Sequence, residues 1–145
     1  MCWEFYHYTT LEGLEAIRRS KRIKKTEVMD ARDALLGRGV YFTTLRYHRF
    51  SKDTIIYNNW AVRTGCYEKI KCVVKVMIER YQKELKPSNC DRDIWIFQHD
   101  DVDLNKFKHE FITLDDSDFG SRTDIPNHNK TSNSSTSSDS GCVIL

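Results

Sequence analysis

Cys2-Trp3-Glu4-Phe5-Tyr6-His7-Tyr8-Thr9 alternates in the manner of a strand: Trp3, Phe5 and His7 point one way, and Cys2, Tyr6 and Tyr8 the other. A helix is predicted directly after it. Thr9 and Glu12 have the S/T-x-x-E spacing of a capping box. Leu11, Leu14 and Ile17 then form an apolar stripe at helical spacing. Residues 20–38 are charged and read as a loop with a short helical turn at 30–36. Gly37-Arg38-Gly39 breaks that turn, and Val40-Tyr41-Phe42-Thr43 reads as a strand. A helix is expected at 54–62. The clearest strand is 70–78, where Val74, Val76 and Ile78 alternate with Val73, Lys75 and Met77. Lys86-Pro87-Ser88-Asn89 marks a loop, 94–97 is a buried type of strand, and 110–114 is the last strand. Strands outnumber helices and hairpin connections are expected. The pattern therefore predicts an α+β fold, with a small mixed or antiparallel sheet and a few helices.

A chain of 145 residues allows one domain. It is long enough to bury a core without help from metal or disulfides. The apolar share of 39% and aromatic share of 12% fit a globular domain. A net charge of +2 argues against nucleic acid or an acidic membrane as the main partner. Residues 1–30 lack the apolar segment of a signal peptide, and no apolar run is long enough to span a bilayer. The cysteines are Cys2, Cys66, Cys72, Cys90 and Cys142. Reduced thiols are expected, the first four as small buried hydrophobes, and no pair has zinc-site spacing. Trp60 and Trp95 are assigned to the core. The basic run Arg18, Arg19, Arg22, Lys24 and Lys25 reads as a solvated face.

The composition breaks at Ser117. Residues 1–116 are assigned to the folded domain. Residues 117–141 are rich in Ser, Thr, Asn, Asp and Gly and are expected to form a disordered tail. Cys142-Val143-Ile144-Leu145 has the C-a-a-X form, whose final Leu favours a geranylgeranyl group on Cys142. One lipid chain anchors only marginally. Only Lys130 offers a nearby positive charge, and the Ser/Thr cluster at 131–140 is a candidate for phosphorylation. These features predict a lipid-anchored protein in the cytoplasm, at the cytosolic face of a membrane, processed by a prenyltransferase.

Three motifs sit where strands meet loops, the usual place for a site. They are Tyr6-His7-Tyr8-Thr9, Gly37-Arg38-Gly39-Val40-Tyr41-Phe42-Thr43, and Lys108-His109-Glu110-Phe111-Ile112-Thr113. His7-Tyr8-Thr9, Gly13-Leu14 with Ile17, Asp33-Ala34, and Gly39-Val40-Tyr41-Phe42-Thr43 resemble the HYD-type ADP-ribosyltransferase-like domains, named for a His, Tyr, Asp signature. More broadly they are similar to the diphtheria-toxin and poly(ADP-ribose) polymerase clade. The resemblance is strongest over 6–44, weaker over 70–78 and 94–97, and absent from 117 onward.

The resemblance implies that NAD is a substrate; the acceptor is left open among a protein side chain, nucleic acid and water, with a protein favoured, and no metal is expected. It implies that His7, with Tyr8 and Thr9 beside it, bonds a ribose hydroxyl. Tyr41 would stack on nicotinamide, where flat aromatic surface suits a cationic ring, and Gly39 would let the backbone approach the ligand. Tyr57, in Tyr57-Asn58-Asn59, would form a second wall. A carboxylate would steady the oxocarbenium-like centre formed as nicotinamide leaves. Glu110 suits the polymerase pattern; Asp100, Asp101 and Asp103 suit the HYD-type aspartate. A site with no acid is the remaining alternative. The plainer readings are a structural His7, a core Tyr41, and Glu110 as a charge guarding an edge strand. The function implied is a mono-ADP-ribosyltransferase or NAD glycohydrolase. The rivals are a catalytically inactive nucleotide- or protein-binding module and a membrane-tethered adaptor.

Overall fold

The computed structural model describes residues 1–26, 37–88, 91–98 and 100–126. Eight strands and two α-helices lie among them: β1 (Cys2–Thr9), α1 (Leu11–Ser20), β2 (Arg22–Ile23), β3 (Gly39–Phe42), α2 (Lys52–Trp60), β4 (Cys72–Glu79), β5 (Leu85–Pro87), β6 (Trp95–Gln98), β7 (Val102–Asp103) and β8 (His109–Thr113). The class is α+β, and every ladder between these strands is antiparallel.

The strands form sheets ordered β1-β4-β8, β3-β6-β5 and β2-β7. The first two are joined at one point, where Tyr6 and Thr43 exchange backbone hydrogen bonds of 2.7 and 3.0 Å. The β1-β4-β8 sheet is packed on both faces. Phe5, Val74, Val76 and Ile78 enter one core with Leu14, Phe42 and Trp95. Tyr6, Tyr8 and Val73 enter a second core with Leu45, Ile55 and Ile56. This explains why 2–9 carries aromatic residues at both parities: neither face of β1 is left to water. Burying one such side chain contributes about 1.5–3 kcal/mol, and β4 contributes from both its faces.

Several boundaries differ from the sequence reading. The cap of α1 is Thr10, whose hydroxyl accepts from the Gly13 amide at 3.0 Å. Thr9 instead remains in β1, opposite Cys72. Leu11 is exposed, so the buried stripe of α1 is Leu14 and Ile17. Helix α2 starts earlier than expected because Ser51 accepts from the Thr54 amide and so caps it. Ile70 belongs to a 3-10 turn before β4. The loop expected at 86–89 includes β5, an edge strand whose Lys86 and Pro87 pair with Ile96 and Trp95. The short β2 and β7 carried no periodicity to read. Trp95 is buried, whereas Trp60 is only partly so. Cys72 is buried, but Cys2 is exposed and Cys66 intermediate. The helical turn expected at 30–36, and Cys90, lie outside the described residues.

The largest difference concerns the end of the domain. Packed chain continues past Asp116. Gly120 donates its amide toward Tyr47 and Phe50 carbonyls at 2.9 and 3.0 Å. Phe119 and Ile125 pack against the second core. A Cβ on Gly120 would lie 2.4 Å from the Arg49 backbone, so only glycine allows this approach. A polar average over 117–141 concealed those two apolar anchors.

Candidate functional site at the seam of β1 and β3

The backbone pairing of β1 with β3 is a single bridge. Beyond it, His7 takes over: its Nδ1 lies 2.9 Å from the Tyr41 carbonyl oxygen. His7 and Tyr41 stand 34 residues apart in sequence, and the seam brings them together. A carbonyl can only accept, so Nδ1 carries the proton. In the neutral ring Nε2 is then a bare acceptor, and among the described residues it has no partner. Burial lowers the His7 pKa below its ordinary 6.5, against the opposing pull of the Tyr41 carbonyl. The neutral form with an accepting Nε2 is therefore the resting state near neutral pH. Phe42 supports the ring edge-on, with centroids 5.9 Å apart.

The glycines around Tyr41 have structural causes. Gly37 has φ of 84°, which favours glycine, and its carbonyl accepts from the Tyr41 hydroxyl at 2.9 Å. This bond fixes the ring of Tyr41. A Cβ on Gly39 would sit 2.3 Å from the Phe97 carbonyl oxygen. The need for glycine at 39 within the protein is thus close packing against β6.

The four candidate acids are placed differently. In register, His7 is opposite Val74 and Val74 opposite Phe111, whereas Tyr6 lines up with Lys75 and Glu110. Partners across a sheet share a face, so Glu110 points to the face opposite His7. It is exposed on edge strand β8 and pairs with Lys75 at 3.3 Å. Glu110 therefore shares no sheet face with His7. Asp103 accepts from the Asn105 amide at 3.0 Å and caps a 3-10 turn. Asp100 accepts from the Asp101 amide at 2.8 Å. Asp101 accepts from the Lys25 amide at 2.8 Å, and the next amide, of Thr26, donates to the Gly39 carbonyl at 2.9 Å. Asp101 is therefore the acid tied to the strand that carries Tyr41. Lys25 also lies 4.0 Å from it through its ammonium, so part of the expected solvated basic face is an ion pair.

The remaining expected ligands separate from the seam. Tyr8 is buried in the second core with its hydroxyl donating to the Leu45 carbonyl at 2.7 Å. Thr9 is partly exposed at the end of β1, packed against Gly13. Tyr57 lines a cleft of about 580 Å³ with Arg63 and Arg92, and neither His7 nor Tyr41 lines that cleft.

Its neighbour Asn58 has the consequential role. Fully buried, Asn58 donates to Thr43 Oγ1 at 3.1 Å and to the Asp93 carbonyl at 3.0 Å, and accepts from the Asp93 amide at 2.7 Å. The Asp93 carboxylate in turn accepts from the Thr44 amide and hydroxyl and from the Trp95 indole. This hub fixes the bridge end of β3, and hence the start of the seam. A signal for it existed: two adjacent Asn residues inside a helix are a poor choice unless they bond something.

No family model matches the chain, and no curated protein or solved structure matches it. Among the described residues no three His, Cys, Asp or Glu side chains gather as a metal site, and no helix is long and apolar enough to cross a membrane. Cys142 and its neighbours lie outside the described residues.

Proposed function

We propose that this chain is an ADP-ribosyltransferase-like domain that uses NAD at the seam of β1 and β3, as a mono-ADP-ribosyltransferase or NAD glycohydrolase. The observation that carries the reading is the bond between the His7 ring and the backbone carbonyl of Tyr41, with His7 neutral and its Nε2 left as an acceptor. A ribose hydroxyl is a donor of the kind that nitrogen accepts. Tyr41 supplies the aromatic surface for nicotinamide, and Asp101 is the acid of choice. In the reaction the bond between C1′ and the nicotinamide nitrogen breaks, and the electron pair leaves with neutral nicotinamide. An acceptor heteroatom, from a protein side chain or water, then bonds to C1′ and gives up its proton. A fixed carboxylate nearby lowers the barrier by opposing the positive charge on the ribose.

Release of nicotinamide from NAD by the purified full chain tests this reading. Tyr41→Ala and Asp101→Asn should each abolish release, while Glu110→Gln should leave it intact. Loss with Glu110→Gln but not Asp101→Asn would overturn the assignment of the acid. The second reading, a binding module without catalysis, is favoured by one observation: Asp101 already accepts a bond from the Lys25 amide. It predicts saturable NAD binding that needs Tyr41, with no release. The proposal also includes prenylation at Cys142, which would hold the domain at a cytosolic membrane face. Cys142→Ser should move the protein from the membrane fraction to the soluble one, and full retention would contradict the tether.

A further inference from the structure

Arg46, Arg49 and Arg122 line one cleft of about 470 Å³, whose walls include Trp3 and Phe50. The sequence hides this cluster, because Arg122 lies far along the chain from the other two. Docking of 119–126 creates it. Arg122 donates its amide to the Arg49 carbonyl at 2.9 Å, and its own carbonyl accepts from the Ser51 amide at 3.0 Å. The guanidinium of Arg122 lies 4.9 Å from the Phe50 ring centroid. Two of the three cations meet carboxylates. Arg46 is 3.6 Å from Glu4, and Arg122 forks onto Asp124 at 2.8 and 3.0 Å. Arg49 has no carboxylate partner among the described residues, so the cluster keeps one positive charge in excess.

We infer that this cleft binds a phosphate ester. A carboxylate offers two oxygens in one plane and is satisfied by one guanidinium fork. A phosphate offers three or more oxygens in a tetrahedron, and so can take the fork of Arg122 while Arg46 and Arg49 bond the rest. The exposed carboxylate of Asp124 stands in for such an anion on Arg122, and the ester joins or displaces it. Trp3, partly exposed in the wall, gives the apolar body of the ester a surface to lie on. The site is separate from the seam of His7 and Tyr41, neither of which lines it.

The test titrates the full chain with glycerol 3-phosphate and, separately, with vesicles of phosphatidylcholine containing phosphatidic acid. Saturable binding is expected to weaken at least tenfold in Arg49→Gln and in Arg122→Gln. It is expected to strengthen several-fold in Asp124→Asn, which frees the Arg122 fork. Both arginines are exposed, and thermal melts check that the variants remain folded; Asp124→Asn keeps the test alive if one does not. Binding to vesicles alone, lost in Arg49→Gln, identifies a lipid headgroup. Binding to glycerol 3-phosphate alone, with the same loss, identifies a soluble ester. Binding of neither probe, binding indifferent to Arg49→Gln, or weaker binding in Asp124→Asn overturns the inference.

Discussion

The contact between β1 and β3 changes character within a few residues. At Tyr6 and Thr43 it is a complete backbone bridge, and the side chains behind it are spent on the fold. Thr43, Asn58 and Asp93 bond one another and are almost fully buried. At His7 and Tyr41 the bridge has ended, and an imidazole replaces a backbone donor. That substitution leaves one ring nitrogen over. The difference separates two kinds of polar group near a strand end. Those whose bonding capacity is closed within the protein stabilise it; His7, whose second ring nitrogen stays an open acceptor, is the group proposed to meet a ligand.

The largest way to break this comparison is to open the closed end. Asn58→Leu strips partners from the buried Asp93 amide and Thr43 hydroxyl at once. It should cost about 3–5 kcal/mol in urea unfolding, and a cost below about 1 kcal/mol would deny the hub its role. Gly39→Val drives a side chain into the Phe97 carbonyl and should cost about 2–3 kcal/mol by the same assay. At the open end the effects should fall on the ligand. Tyr41→Ala should weaken NAD binding at least tenfold, about 1.4 kcal/mol. Tyr41→Phe should lose about 1 kcal/mol of stability with the Gly37 bond while keeping most of the NAD affinity.

The pH response sharpens the same contrast. The folded pKa of His7 is depressed below 6.5, so the unfolded chain takes up its proton first as pH falls. Its contribution to stability is present above 6.5 and is lost as pH falls through the depressed value. NAD affinity should follow, holding steady at neutral pH and falling once Nε2 is protonated; His7→Gln should remove that dependence. The smallest effect is expected at Glu110→Gln, below about 0.5 kcal/mol, because the pair with Lys75 is exposed.

Much of the frame was legible. Alternation marked β1 and β4, and short apolar, β-branched and aromatic runs marked β3 and β6, because these strands carry the core. The adjacency of His7 and Tyr41 was legible only as motif order, since a one-bridge seam leaves no periodic trace. The face that Glu110 takes was not legible, because sequence position gives the strand but register decides the face. Asp101 is held by the Lys25 amide, while the next amide, of Thr26, bonds the Gly39 carbonyl, and such backbone contacts carry no side-chain signature. The anchoring of Phe119 and Ile125 was lost because two apolar residues vanish in a polar average.

The central claim is that the seam of His7 and Tyr41 holds NAD. Calorimetric titration of the full chain with NAD at neutral pH, beside Tyr41→Ala and His7→Gln, tests it most directly. The account predicts saturable binding by the unmodified chain that both substitutions weaken at least tenfold. No saturable binding, or equal binding by all three proteins, would contradict it.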